Sequence, residues 1–237
     1  MARNINVLMA PFGIGLDFAN DVMPISKFSG GGSVTERHLL YALGEKLAKT
    51  LGRAQVASFL KDSLELKLSE AVSVRLSDPD NAYFSYDLLG ALKAGIVARI
   101  YVPATDECLT LAEASDLAKK TGAVFCYAYL GDVGDSVTGD KKTQKFEDDY
   151  MDKLAQVLYN NGVECITYMP SRNTPAQLKR VREICAAHGF REISGEDINS
   201  PRQQFICRQL ELPEFSHLTR ATWELIEYER SMSREDT

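Results

Sequence analysis

The chain has 237 residues, 45% of them hydrophobic and 25% charged, with 33 acidic against 27 basic side chains, a formal charge of -6 and a pI near 5.2. Such a length buries a substantial core in one large domain or two small ones, and the composition is ordinary globular usage. An acidic chain repels nucleic-acid backbones and anionic membranes unless it carries a basic patch, and the longest basic cluster, Lys179, Arg180 and Arg182, has the spacing of one wet helix face. Neither a nucleic-acid partner nor a membrane partner is expected.

The opening MARNINVLMAPF contains no apolar run long enough for a signal peptide, and no span approaches ~20 apolar residues. Cytoplasmic localisation is the default expectation. Cys108, Cys126, Cys165, Cys185 and Cys207 make no CxxC pair, and most lie in apolar settings such as AVFCYAYL and VECITYMP. Buried free thiols in a reducing compartment explain them better than a disulfide framework.

In chain order, INVLM at 5–9 reads as a short strand ended by Pro11, and the Gly- and Asp-rich stretch behind it as a long loop. Thr35 is an N-cap for a helix whose stripe is Leu39, Leu40, Leu43 and Leu47 and whose stop is Gly52. A second helix follows at about 53–68, on the spacing of Val56, Phe59, Leu60 and Leu64, and a third runs from Asn81 to a stop at Gly95. The rhythm then changes. Strands are expected at 96–103, 123–130, 163–170 and 191–194, alternating with helices at 109–122, 143–162 and 174–189. Thr174 and Pro175 supply the cap and first position of the helix at 174–189, and Ser200-Pro201 repeats that arrangement before QQFICRQL. A last helix covers about 217–230.

Strands alternating with helices of ten or more residues mean crossovers and a parallel sheet, and these strands are apolar along nearly their whole length. The fold class is therefore α/β with mostly parallel strands, either a complete or partial (β/α) barrel or an open doubly wound sheet. No linker or internal repeat divides the chain. It reads as one α/β domain, 1–237, with a helix-rich first half (1–95) and an alternating β/α second half (96–237).

Parallel α/β folds bind ligands at the carboxyl ends of strands, which directs attention to the residues just after each one. These are Thr105, Asp106 and Glu107; Asp132, Asp135 and Asp140; Ser171, Arg172 and Asn173; and Glu196, Asp197 and Asn199, with Asp17 and Asp21 after the first apolar run. Carboxylates gathered at one rim repel one another unless a cation or a proton compensates. Oxygen ligands of this kind suit a hard divalent ion, whereas Asp in Gly-rich loops also makes Asx-turns and caps with no functional role. Arg172, at a strand end beside a helix start, and Arg202, near another, suit a phosphate. Salt-bridging to a neighbouring carboxylate is the plainer role. His38, His188 and His217 form no HxH or HExxH spacing, and no P-loop, dinucleotide or GxSxG motif is present.

At GDVGDSVTGDKKTQKFEDDY, YMPSRNTPAQLKRVREICAAHGF and ISGEDINSPRQQF, over about residues 95–210, the chain resembles the later part of the PHP superfamily, the polymerase and histidinol phosphatase domain. The resemblance implies a distorted (β/α) barrel that binds metals at its carboxyl rim and commonly hydrolyses phosphoesters, with metals activating water and an arginine or histidine helping to hold phosphate. Asp197 matches the aspartate of the family's terminal Asp-x-His motif, while Asn199 stands where histidine is expected. Met169 precedes Pro170 where the family usually has histidine. The opening HxH pair is missing, since no histidine precedes His38. The chain thus resembles either the later portion of a longer protein lacking its amino-terminal segment, or a member without its imidazole ligands.

Three readings follow. In the first, a PHP-like domain, weak or inactive as this chain, binds a small phosphorylated or anionic ligand, with no metal required; a homo-oligomer or a larger assembly stays open. In the second, Asp132, Asp135, Glu196 and Asp197 hold Mn, Mg or Zn for phosphoester hydrolysis, with Asp197 and Arg172 carrying the chemistry and Arg172, Asn173 and Arg202 binding substrate. The third is a sugar-phosphate or small-carboxylate-handling (β/α) barrel enzyme unrelated to PHP.

Overall fold

Apolar side chains recurring every three or four residues organise the first 105 residues into helices, and strands enter only afterwards. The computed structural model describes residues 1–133, 145–198 and 201–235. The chain forms two compact units, Met1–Thr105 and Asp106–Thr237.

The first unit contains α1 (Ala2–Met9), α2 (Glu36–Leu51), α3 (Arg53–Ser58), α4 (Glu70–Ser77) and α5 (Phe84–Ile100), and no strand among its described residues. The run expected as a strand at 5–9 is instead the end of α1. Ile5 and Met9, four apart, are fully buried, while Val7 between them is 70% exposed. Helical period therefore prevails over the β-branched content. Asn6 fixes the helix by exchanging two hydrogen bonds with the Leu16 backbone, at 2.9 and 2.7 Å.

The strand expected at 96–103 is likewise helix as far as Ile100. Ile96 and Ile100 continue the buried stripe of Phe84, Leu88 and Leu92, and Arg99 donates to the Leu64 carbonyl at 3.1 Å. Gly95 does not stop the helix. A Cβ there would come within 2.6 Å of Leu66, so glycine lets that side chain pack directly on α5. Thr35 does cap α2, with the His38 ring accepting from the Thr35 backbone N–H at 3.0 Å.

The second unit runs α6 (Leu111–Thr121), β1 (Cys126–Ala128), α7 (Met151–Asn160), β2 (Cys165–Tyr168), α8 (Pro175–His188), β3 (Arg191–Ser194) and α9 (Ser216–Glu235). Its sheet is small, three parallel strands in the order β1-β2-β3, with Cys126 opposite Cys165 and Cys165 opposite Arg191. Ile166 and Tyr168 project from β2 into a core shared with Met151, Ala155 and Leu158 of α7, Leu178, Val181 and Ile184 of α8, and Leu218 of α9. By the period-two rule, Cys165 and Thr167 face the other way. The molecule is thus a helix-rich α/β protein with a small parallel sheet.

The helix expected after Ser200-Pro201 is not formed over 201–207; Phe205 and Ile206 are exposed, and only a short turn of 3-10 helix follows at Arg208–Glu211. The cap of α8 does form. Thr174 Oγ1 accepts from the Gln177 N–H at 3.3 Å while Gln177 Oε1 accepts from the Thr174 N–H at 2.8 Å, and Pro175 takes the first turn. Thr174→Ala should cost ~1 kcal/mol of stability, read as a lower urea midpoint; an unchanged midpoint would show that the cap contributes nothing.

Candidate functional site

Because the three strands are parallel and consecutive, the chain leaves each of them at the same sheet edge. Gly131 and Asp132 follow β1, Met169 to Asn173 follow β2, and Gly195 to Asp197 follow β3. Neighbouring strands lie ~4.8 Å apart, which puts the loops after β1 and β3 on the order of 10 Å from each other with the β2 loop between them. This is the carboxyl rim.

Its first part is built from two consecutive acids. Glu147 is only 4% exposed, and its carboxylate accepts from the Tyr127 hydroxyl at 2.9 Å, the Leu130 N–H at 3.2 Å and the Gly131 N–H at 3.0 Å. Asp148 accepts from the Tyr129 hydroxyl at 2.5 Å, the Asp132 N–H at 3.1 Å and Gln177 Nε2 at 2.7 Å. Asp132 in turn accepts from the Phe146 N–H at 2.6 Å and pairs with Lys145 at 2.9 Å. The Lys145 ammonium, then the Phe146 N–H, hold the Asp132 carboxyl below its ordinary range. Gly131 has φ of +69°, and a Cβ on it would come 2.8 Å from both Asn173 Nδ2 and Gln177 Nε2. The turn accepts glycine for both reasons.

Asn173 is buried and works as a splint. Its side-chain oxygen accepts from the Met169 N–H at 2.9 Å, and its amide nitrogen donates to the Leu130 carbonyl at 2.8 Å, linking the β2 loop to the β1 loop. Ser171 donates to Glu196 at 2.7 Å and so links the β2 loop to the β3 loop. The Arg172 guanidinium lies 5.7 Å from the centroid of the Phe146 ring, within cation–π range. No carboxylate among the described residues pairs with it. The amides at the start of α8, expected to favour an anion, are largely engaged by its own capping box. Beside the rim, a groove of ≈ 590 Å³ runs between α8 and the segment 209–215, bordered by Pro170, Asn173, Lys179, Arg182 and Phe215.

The structure therefore brings Asp132, Arg172, Asn173 and Glu196 to one rim, together with Asp197, whose carbonyl accepts from Gln203 at 2.9 Å. Arg202 lies on the exposed stretch before Arg208 and not at a helix start. Asp135, Asp140, Lys141, Lys142 and Asn199 lie outside the described residues. Thr105, Asp106 and Glu107 form a turn and bend in the irregular stretch after α5, not after a strand. Asp17 and Asp21 belong to the strand-free first unit, where Asp17 caps a turn and Asp21 pairs with Lys46.

A divalent ion, implied by the PHP resemblance, fits this donor set poorly. The carboxylates of Asp132, Asp148 and Glu147 already accept from internal donors. Among the described residues, no three His, Cys, Asp or Glu side chains are grouped to hold a metal. His217 contacts Glu192 Oε2 at 3.3 Å and the Tyr168 hydroxyl at 3.2 Å.

Glu147, Asp148 and Gln177 are the site residues that sequence reasoning passed over, because 143–162 read as one continuous helix that would have placed both acids on a wet face. The helix begins only at Met151. The tyrosines of CYAY were the available clue, since buried phenols need acceptors.

Burial, then the hydrogen bond to a carboxylate, raises the pKa of Tyr127 through Glu147, of Tyr129 through Asp148 and of Tyr168 through Glu192. For a raised folded-state pKa, the stability contributed is fully present below the unfolded value near ~10 and is lost as pH rises through the folded values. In alkaline titration, these three of the 10 tyrosines should remain protonated in the folded chain, the missing phenolate absorbance appearing on addition of urea. Full absorbance in the folded chain would contradict this.

The chain matches no protein-family model, no curated protein and no solved structure. No helix among the described residues is long and apolar enough to cross a membrane.

Proposed function

We propose that the Asp106–Thr237 unit is a PHP-like module, part of a distorted (β/α) barrel, that binds a small phosphorylated or anionic ligand at its carboxyl rim and hydrolyses phosphoesters weakly or not at all as this chain. The observation that carries the reading is the division of charge at the rim. Asp132, Glu147, Asp148 and Glu196 are each engaged by donors within the chain, whereas the Arg172 guanidinium is supported by an aromatic face. Acids used as braces leave the ring-supported arginine to attract an anion. Parallel strands joined by α7 and α8 give the alternation that such a barrel shares with an open parallel sheet.

Arg172 meets the ligand's oxygens, and Asn173 positions the arginine by fixing the loop that carries it. The pairing of Glu196 with Asp197 directly after β3 favours a second reading, an active divalent-metal phosphoester hydrolase, in which those two acids would hold the ion.

Calorimetry separates the two. Inorganic phosphate should bind the wild-type chain and lose at least tenfold in affinity in Arg172→Ala, a change of ~1.4 kcal/mol, while Mn²⁺, Mg²⁺ and Zn²⁺ bind no tighter than the millimolar range. Equal phosphate affinity in both proteins would remove the anion site. Robust phosphoesterase activity that disappears in Asp197→Asn would install the second reading in its place.

A further inference from the structure

We propose that Cys126 and Cys165 form a peroxide-oxidisable thiol pair that closes to a reversible disulfide between β1 and β2. The two residues head their strands, at the edge opposite the carboxyl rim, and stand opposite each other in the parallel register. Register partners in a parallel ladder are ~4.8 Å apart, inside the Cα separation of about 4.4–6.8 Å that a disulfide spans. Paired residues of a parallel sheet point to the same face, and here the face is the one away from Ile166 and Tyr168. Cys165 Sγ lies 3.8 Å from the carbonyl of Phe125, the residue before Cys126, which shows the buried thiol leaning towards β1.

The environments differ in the way an attacking and a resolving thiol require. Cys126 is partly exposed, and Cys165 is fully buried. The neighbouring Cys165 thiol lowers the pKa of Cys126, while the Cys126 group beside it and burial raise that of Cys165. Cys185 packs in the core with Ile166 and Tyr168, on the other face of the sheet from the pair.

The steps balance. The Cys126 thiolate attacks hydrogen peroxide, giving a sulfenic acid and releasing hydroxide; the Cys165 sulfur then attacks the sulfenic sulfur, and its proton leaves with the hydroxyl as water. Two thiols and one peroxide become one disulfide and two waters. A dithiol reductant returns the bond to two thiols by exchange.

The five cysteines fall on five different tryptic peptides, with Cys126 in 121–141 and Cys165 in 154–172. The folded wild-type chain, treated with stoichiometric hydrogen peroxide and digested without reductant, should yield these two peptides joined, with the loss of two hydrogens, and dithiothreitol should separate them. Cys165→Ser should leave Cys126 as a sulfenic acid that dimedone labels. The pair is refuted if Cys126 proceeds to sulfinic acid without a link in the wild-type chain, if the link involves another cysteine, or if it forms only in urea.

Discussion

A buried carboxylate with three donors holds the carboxyl rim of the second unit together. Removing Glu147 from water carries a desolvation cost, and that cost is offset only because a phenol and two consecutive backbone N–H groups converge on it. The two amides belong to the turn after β1, so the anion fixes the direction in which the chain leaves the sheet. Asp148 repeats the device one residue later, using Tyr129, the Asp132 N–H and Gln177. Gln177 also caps α8, so the start of that helix and the end of β1 are placed by one amide side chain. Asn173 then joins the β2 loop to the same scaffold. Take away the first carboxylate and Leu130, Gly131 and Tyr127 lose their acceptor, with each buried donor left unpaired costing ~1–3 kcal/mol.

This arrangement changes the meaning of an acidic rim. Carboxylates at strand ends invite a metal. In this chain, the acids with described geometry at the β1 loop serve as acceptors for the backbone and for tyrosines, and Asp132 is closed further by Lys145. Histidines, which the resemblance would place among ligands, are otherwise employed: His38 in the cap of α2, His188 stacked 5.7 Å from Phe190, and His217 beside Tyr168 and Glu192. What the β2 loop adds to the rim is a guanidinium on an aromatic ring, with Glu196 and Asp197 following β3 at the same edge.

The sequence was most readable where local chemistry is decisive. Thr174 and Pro175 announced α8, Thr35 and Gly52 bounded α2, and the apolar run around Cys165 and the short REIS stretch located β2 and β3, because caps and strand cores are dictated within a few residues. It misled where β-branched content and helical period pointed different ways, at Ile5–Met9 and Ile96–Ile100, and the period of burial decided both. That arginine and asparagine after β2 share an edge with Asp132 and Glu196 followed from the parallel alternation alone. The roles of Glu147 and Asp148 did not, since nothing near them in the chain reveals that their tyrosine and backbone donors lie 16 to 20 residues back and Gln177 29 residues ahead.

Backbone amide exchange at the β1 turn tests the brace most directly. In the wild-type chain, the Leu130 and Gly131 amides should be protected, and Glu147→Gln should release both while Tyr129, which donates to the Thr167 carbonyl within the sheet at 2.9 Å, keeps its protection. Rapid exchange of Leu130 and Gly131 in the wild-type chain, or protection that the substitution leaves untouched, would contradict a rim organised around that carboxylate.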